Sequence, residues 1–175
     1  MKKIILPFLS LVLLLIGCNK ANELTKFDIS YDTSITIPAT ANLNVPFDIS
    51  TPDIETNSES KFEINKTSTD RIESIEVSAL KLTVKSPAGE DFSFLKSIEI
   101  YIDGDKLSEE KIAWNDNVSS SAGSSISLSV SGTDLKPYIL NDNFKLRVRT
   151  VTDELLTNDH DIDIKTTFTV DAKIL

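Results

Sequence analysis

The sequence has few of the residues from which metal centres and active sites are built. It contains one cysteine, Cys18, and one histidine, His160, among 175 residues. One cysteine excludes an intramolecular disulfide, and a lone histidine excludes a zinc site made of several histidine and cysteine ligands. The G-x-S-x-G, P-loop and dinucleotide-binding patterns are also missing. We therefore expect a non-catalytic protein with no metal and no organic cofactor.

A long apolar run is missing as well. The charged start Met1-Lys2-Lys3 is followed by residues 4–16, which are apolar except for Ser10. A membrane-spanning helix needs about 20 apolar residues, so this run is too short to be one. A basic start and a short apolar core are typical of a secretory signal peptide. We predict a signal peptide over residues 1–17.

The lone cysteine stands directly after this segment. Leu15-Ile16-Gly17-Cys18 resembles the lipobox of bacterial lipoproteins, where signal peptidase II cleaves before a cysteine that is acylated. The resemblance implies lipidation of Cys18, with palmitate-type chains holding the protein to a membrane. Asn19 stands where Asp retains such proteins at the inner membrane, so the resemblance implies the outer membrane, on its periplasmic or its surface side. The alternative is an uncleaved anchor with an incidental cysteine.

The excess of acidic residues limits the partners. Removing Lys2 and Lys3 from 18 basic residues leaves 16 against 27 acidic ones, a formal charge of −11. Such a surface repels phosphate backbones and anionic headgroups at long range. We expect no nucleic-acid partner, and instead an envelope protein or a glycan.

After a tether at 18–26, alternation of apolar and polar residues predicts one β domain at 27–175. The predicted strands and short apolar runs cover 27–37, 47–50, 62–64, 72–84, 98–102, 111–114, 126–130, 144–148 and 162–174. A change of parity at Ala79-Leu80 predicts a β-bulge, and Thr133-Asp134 predicts the cap of a helical turn that closes one end of the core.

Eight or nine short strands without a long helix indicate an antiparallel β-sandwich, similar to an immunoglobulin-like domain but lacking its cysteine pair. The stretch from Asp91 to Asp103 resembles that of uncharacterised small secreted lipoproteins, which implies no function.

Two aromatic residues are candidate ligand contacts. Tyr101 points away from the isoleucine face of its predicted strand, and Trp114 follows a short apolar pair. Exposed aromatic rings stack on sugars and on apolar ligands, whereas Tyr138 shares a helical face with Leu135 and Ile139 and is expected in the core. A surface module that binds glycans or mediates adhesion is therefore the alternative to a protein-binding envelope module.

The carboxylates Asp159, Asp161 and Asp163 share one face of the last predicted strand. Three carboxylates could hold Ca²⁺, but a hairpin with the preceding strand would place them opposite basic residues. We prefer the hairpin, with His160 on its surface and without a catalytic role. The two registers compatible with the apolar pattern pair these acids with Lys145, Arg147 and Arg149.

Overall fold

The computed structural model describes residues 25–173. These residues form two antiparallel sheets that pack face to face, with ten strands, two short α-helices and a 3-10 helix. The predicted antiparallel β-sandwich is confirmed. The signal peptide, Cys18 and most of the tether lie outside the described residues and stay predictions.

The first sheet has the order β1-β10-β4-β7. The outer strand β1 (Lys26–Ile37) pairs along its whole length with β10 (His160–Ala172), from Lys26 opposite Asp171 to Ile37 opposite His160. The long strand β4 (Ile72–Ser86) lies on the other side of β10, and the short β7 (Ser125–Ser127) completes the sheet.

The second sheet has the order β2-β9-β5-β6-β8. Its members are β2 (Phe47–Ser50), β9 (Asn143–Thr152), β5 (Leu95–Asp103), β6 (Glu110–Asn115) and β8 (Ser129–Val130). The two-residue strand β3 (Ile54–Glu55) also pairs with β9.

The core lies between the sheets, where the apolar residue of each alternating pair points inward. At its centre the rings of Tyr31 and Phe168 from the first sheet meet Phe144 from the second, at centroid distances of 5.3 to 6.2 Å and nearly perpendicular. Edge-to-face aromatic pairs stabilise beyond the burial of their area. The Tyr31 hydroxyl donates to the Thr56 carbonyl at 2.9 Å, which satisfies its buried polar atom.

Two predicted strands are wrong. Residues 62–64 belong to helix α1 (Ser58–Ile64), which buries Phe62 and exposes Ile64. Two apolar residues two positions apart fit a strand, but on a helix they point in nearly opposite directions, and three residues cannot separate the two patterns. The predicted strand 126–130 is divided: β7 pairs with β4 and β8 with β6, so the chain changes sheet at Leu128.

The predicted bulge is confirmed, one residue earlier than expected. Ala79 lies opposite Thr167 and Val77 opposite Phe168, so that Ser78 is the extra residue of β4. The helical turn is confirmed as α2 (Lys136–Ile139). The Asp134 carboxylate accepts hydrogen bonds at 3.0 Å from the amides of Lys136 and Ile75, and buried Leu135 and Ile139 close that end of the core.

The predicted hairpin of the last two strands is also wrong. Strands β9 and β10 lie in different sheets, and the loop 153–159 crosses between them. Alternation fixes which side chains face the core, but it is the same for any antiparallel neighbour and so does not choose the partner strand. The basic residues of β9 therefore never meet Asp159, Asp161 and Asp163 across a ladder.

The strands run between two distinct ends of the sandwich. Strand β1 begins, β10 finishes and β4 begins at one end, together with α1, the 3-10 helix (Thr69–Arg71) and α2; we call it the N-terminal end. The other end carries the loops 38–46, 87–94, 116–124 and 153–159, which we call the distal loops. Within residues 25–173 we find no helix with the length and hydropathy to cross a membrane.

Candidate functional site

The two predicted contact aromatics lie on the same outer face of the second sheet. Glu99 of β5 lies opposite Trp114 of β6, and Tyr101 lies opposite Lys111. Ile112 is the extra residue of a bulge in β6 between these pairs. The bulge keeps Ile112 and Ala113 both buried while Lys111 and Trp114 stay outside. Tyr101 and Trp114 are thus diagonal neighbours, each half-buried.

The Glu99 carboxylate connects Tyr101 to Lys111, the cation beside Trp114. Glu99 accepts the Tyr101 hydroxyl at 2.8 Å with one oxygen and the Lys111 ammonium at 3.2 Å with the other. The hydrogen bond from Tyr101 and the charge of Lys111 hold the pKa of Glu99 below its usual range. Burial and the hydrogen bond to Glu99 raise the pKa of Tyr101. The Lys111 ammonium also lies 5.5 Å from the Trp114 ring centroid.

Arg147 of β9 is the most connected residue of this face. Its Nε and one terminal nitrogen donate to the two Glu109 oxygens, each at 2.6 Å, and its other terminal nitrogen donates to Asp48 of β2. The guanidinium carbon lies 4.1 Å from the Tyr101 ring centroid, in cation–π geometry. The bonds to Glu109 and Asp48 raise the pKa of Arg147 further above its already high value.

We call this set the charged face; its members are Asp48, Glu99, Tyr101, Glu109, Lys111, Trp114 and Arg147. The ring of Tyr101 is covered on one side by Arg147, and a cation lies over Trp114, so neither ring is simply open to a ligand. The basic residues Lys145, Arg147 and Arg149 recur at alternate positions of β9, so their common face can be read from the sequence. The contacts with Asp48 and Glu109 could not, because these residues are 99 and 38 positions from Arg147.

The distal loops carry most of the exposed large apolar side chains. Among residues 25–173, four such side chains are exposed: Leu43 (41%), Val45 (50%), Ile64 (80%) and Leu155 (75%). Ile64 is at the N-terminal end, and the other three are on two distal loops. The Asn44 amide donates to the carbonyl of Thr152 at the end of β9, at 2.7 Å, and the Ala39 amide donates to the Asp159 carboxylate at 2.8 Å, which joins the two loops.

Asp161 and Asp163 of β10, and Asp159 directly before it, have structural partners. Asp159 accepts from the Ala39 amide, Asp161 from the Thr36 hydroxyl at 2.7 Å, and Asp163 lies 3.5 Å from the Lys85 ammonium. No group of three or more histidine, cysteine or acidic side chains in the described part of the chain is arranged to hold a metal ion. The three carboxylates therefore bond to the strands beside β10 and to the loop that follows β1.

His160 is buried rather than on a hairpin surface. Its Nδ1 lies 3.0 Å from the Asn158 carbonyl and its ring 4.6 Å from that of Phe94. Its Nε2 is 3.7 Å from the Glu90 carboxylate, too long for a hydrogen bond. No serine hydroxyl of residues 25–173 hydrogen-bonds this ring, so the geometry of a serine–histidine pair is not formed there.

No protein-family model and no curated protein matches the sequence. Solved structures with a similar arrangement include Desmodium yellow mottle tymovirus, 16% identical over 86% of this chain and 84% of that one, with a TM-score of 0.32. They also include the FLHE protein, 6% identical over 83% and 98% of the two chains, with a TM-score of 0.34. A third is a structure of carbohydrate-binding modules of the β-sandwich superfamily, 10% identical over 85% and 55%, with a TM-score of 0.27. These scores are too low to support a functional comparison.

Proposed function

We propose that this protein is a non-catalytic, lipid-anchored module of the bacterial cell envelope, which presents its distal loops to a protein partner. The anchor is the acylated Cys18 of the lipobox-like segment, and Asn19 favours the outer membrane. Two or more acyl chains give stable anchoring, at about 0.8 kcal/mol per buried methylene.

The position of the anchor relative to the loops supports this proposal. The first described residue, Thr25, is at the N-terminal end of the sandwich, where its carbonyl accepts from the amide of Ala172. The tether to Lys26 spans at most about 28 Å when fully extended. The N-terminal end is therefore held near the bilayer, and the distal loops point away from it.

The single observation that favours a protein partner is the exposure of Leu43, Val45 and Leu155 on joined distal loops. Exposed apolar side chains grouped on one surface are a mark of protein interaction sites. They lie at the end that an anchored domain would offer to another envelope protein.

The anchor is tested by metabolic labelling with radioactive palmitate in a Gram-negative host. We expect incorporation into the wild-type chain and none into Cys18→Ser, which should also accumulate in the soluble fraction. Protease treatment of intact and lysed cells then separates the surface from the periplasmic side. An unlabelled wild-type chain would refute the lipid anchor.

The partner surface is tested by photocrosslinking from position 155 in living cells. We expect one stoichiometric envelope product, which is lost when Leu43→Ser and Val45→Ser are added to the chain that carries the crosslinker at position 155. The matched control is Ile64→Ser, which removes the most exposed apolar side chain at the opposite end and should leave the product unchanged. Equal crosslinking in both variants would exclude the distal loops as the contact.

A second candidate is glycan binding at the charged face, favoured by the placement of Tyr101 and Trp114 on one surface. Aromatic rings beside charged hydrogen-bonding groups are suited to sugars. We expect retention on a glycan column to fall at least tenfold in Tyr101→Ala with Trp114→Ala. Unchanged retention in that double variant, beside a folded control Tyr138→Phe, would remove this candidate.

A further inference from the structure

The N-terminal end contains a cleft whose charged lining is entirely basic. The cleft has a volume of about 310 Å³ and is lined by Thr25, Lys26, Phe27, Asn65, Lys66, Thr67, Arg71, Ala172 and Lys173. Four of the chain's 18 basic residues are in this lining, without an acid, in a protein of net charge −9. The cleft is a local exception to the acidic surface.

The cleft is built by backbone contacts that bring three chain segments together. The Ala172 amide donates to the Thr25 carbonyl at 3.2 Å, and the Lys173 amide donates to the Arg71 carbonyl at 2.9 Å. After α1, Lys66 takes a left-handed conformation with φ of 59°, as residues that end helices do. This turn places 65–67 on the third side of the cleft.

The cations of the cleft are only partly neutralised. Lys26 lies 3.6 Å from Asp171, and no carboxylate of residues 25–173 is within ion-pair distance of Lys66, Arg71 or Lys173. Asp70 has its pKa lowered chiefly by the hydrogen bond from Ser68, with smaller effects of Arg71 and Lys173. The buried Thr67 hydroxyl oxygen has no hydrogen-bond partner in the described residues. The cleft thus offers to an anion three cations that have no ion pair among the described residues, beside a buried hydroxyl without a partner.

We propose that this cleft binds the phosphate of an anionic lipid headgroup and so fixes the orientation of the domain on its membrane. The proposal rests on the lipid anchor proposed above. Thr25 lines the cleft and is seven residues from Cys18, a distance of at most about 25 Å when extended. At a Debye length of about 8 Å, the local cations dominate at contact and the acidic surface elsewhere is screened.

The phosphate binding is tested apart from the anchor, with the chain from residue 18 onward carrying Cys18→Ser. This chain contains both complete sheets and their shared core, and it cannot be acylated. Partition is measured onto phosphatidylcholine vesicles with and without 40% phosphatidylglycerol, at about 0.15 M salt, where the Debye length is about 8 Å. Each basic residue at an anionic surface contributes about fivefold to binding.

We expect at least tenfold stronger partition onto the anionic vesicles, abolished by high salt. The variant Lys66→Gln, Arg71→Gln, Lys173→Gln should lose this preference. The matched variant Lys81→Gln, Lys96→Gln, Lys165→Gln makes the same charge change at exposed sites away from the cleft and should keep it. Thermal melting checks that both variants are folded.

Equal partition of the two triple variants, or no preference for anionic vesicles, would overturn the proposal whether or not Cys18 is acylated in cells. A titration with inorganic phosphate distinguishes the remaining source. Binding of free phosphate through Lys66, Arg71 and Lys173, without any vesicle preference, would overturn the headgroup assignment in favour of a soluble phosphate ligand.

Discussion

The two sheets share one core but differ on their outer faces. On the first sheet, hydroxyl groups bond across strands, as between Ser30 and Thr167 at 3.0 Å and between Thr83 and Ser125 at 3.1 Å. On the second sheet, the corresponding positions carry the charged face around Arg147. Short neutral groups stabilise a ladder locally, whereas long charged side chains reach beyond it to Glu109 and Asp48. The second sheet therefore carries a network of charged side chains that extends beyond neighbouring strands.

The largest losses of stability are expected in the shared core, where substitutions in the two sheets should have similar effects. Phe144→Ala in the second sheet and Phe168→Ala in the first each remove a fully buried ring from the aromatic centre of the core. We expect each to lower the free energy of unfolding by about 3 to 5 kcal/mol. Chemical denaturation measures both, and a loss below about 1 kcal/mol at one position only would show that the sheets do not share one cooperative core.

Among the outer-face residues, substitution of Arg147 should cost the most stability. Arg147→Ala removes the paired bonds to Glu109, the bond to Asp48 and the cation over Tyr101, so we expect a loss of about 1 to 2 kcal/mol in the free energy of unfolding. Arg149→Ala is the matched control on the same strand and face, and should change it by less than about 0.5 kcal/mol. Equal losses in both variants would mean that the contacts of Arg147 do not stabilise the sheet.

The stability contributed by the charged face should also depend on pH. Because the folded pKa of Glu99 is below its usual value of 4.5, its stabilisation is fully present above that pH and is lost as pH falls through the folded pKa. We expect Glu99→Gln to cost at most about 1 kcal/mol at pH 7, and the difference from wild type to shrink below pH 4.5. Denaturation at several pH values tests this, and a constant difference down to pH 3 would contradict it.

The smallest loss of stability is expected on the outer face of the first sheet, where hydroxyl groups pair across strands. Thr167→Ala removes the bond with Ser30 on the outer face of the first sheet, where a cross-strand pair contributes roughly 0.2 to 1 kcal/mol. We expect a loss in the free energy of unfolding at the lower end of that range, with Thr167→Ser as the control that keeps the hydroxyl. A loss as large as that of Arg147→Ala would remove the contrast between the faces.

Alternation of apolar and polar residues predicts the position of one candidate contact residue but not of the other. Tyr101 was expected on an outer face and lies there, because its strand alternates regularly from Ile98 to Ile102. Alternation does not place Trp114, because a bulge in β6 makes Ile112 and Ala113 both buried, which breaks the period of two. The basic cleft was not predicted at all, since Lys26, Lys66 and Lys173 are far apart in the chain.

Local sequence pattern predicts most of the strands, their inward faces and the helical turn after Asp134, because each depends on residues near one another in the chain. The fold as a whole sets β9 and β10 in different sheets, makes the chain change sheet at Leu128, and brings Arg147 to Glu109 and Asp48. The physical reason is that pairing of strands is a competition among long-range alternatives with the same local pattern. That competition is settled by packing of the whole core.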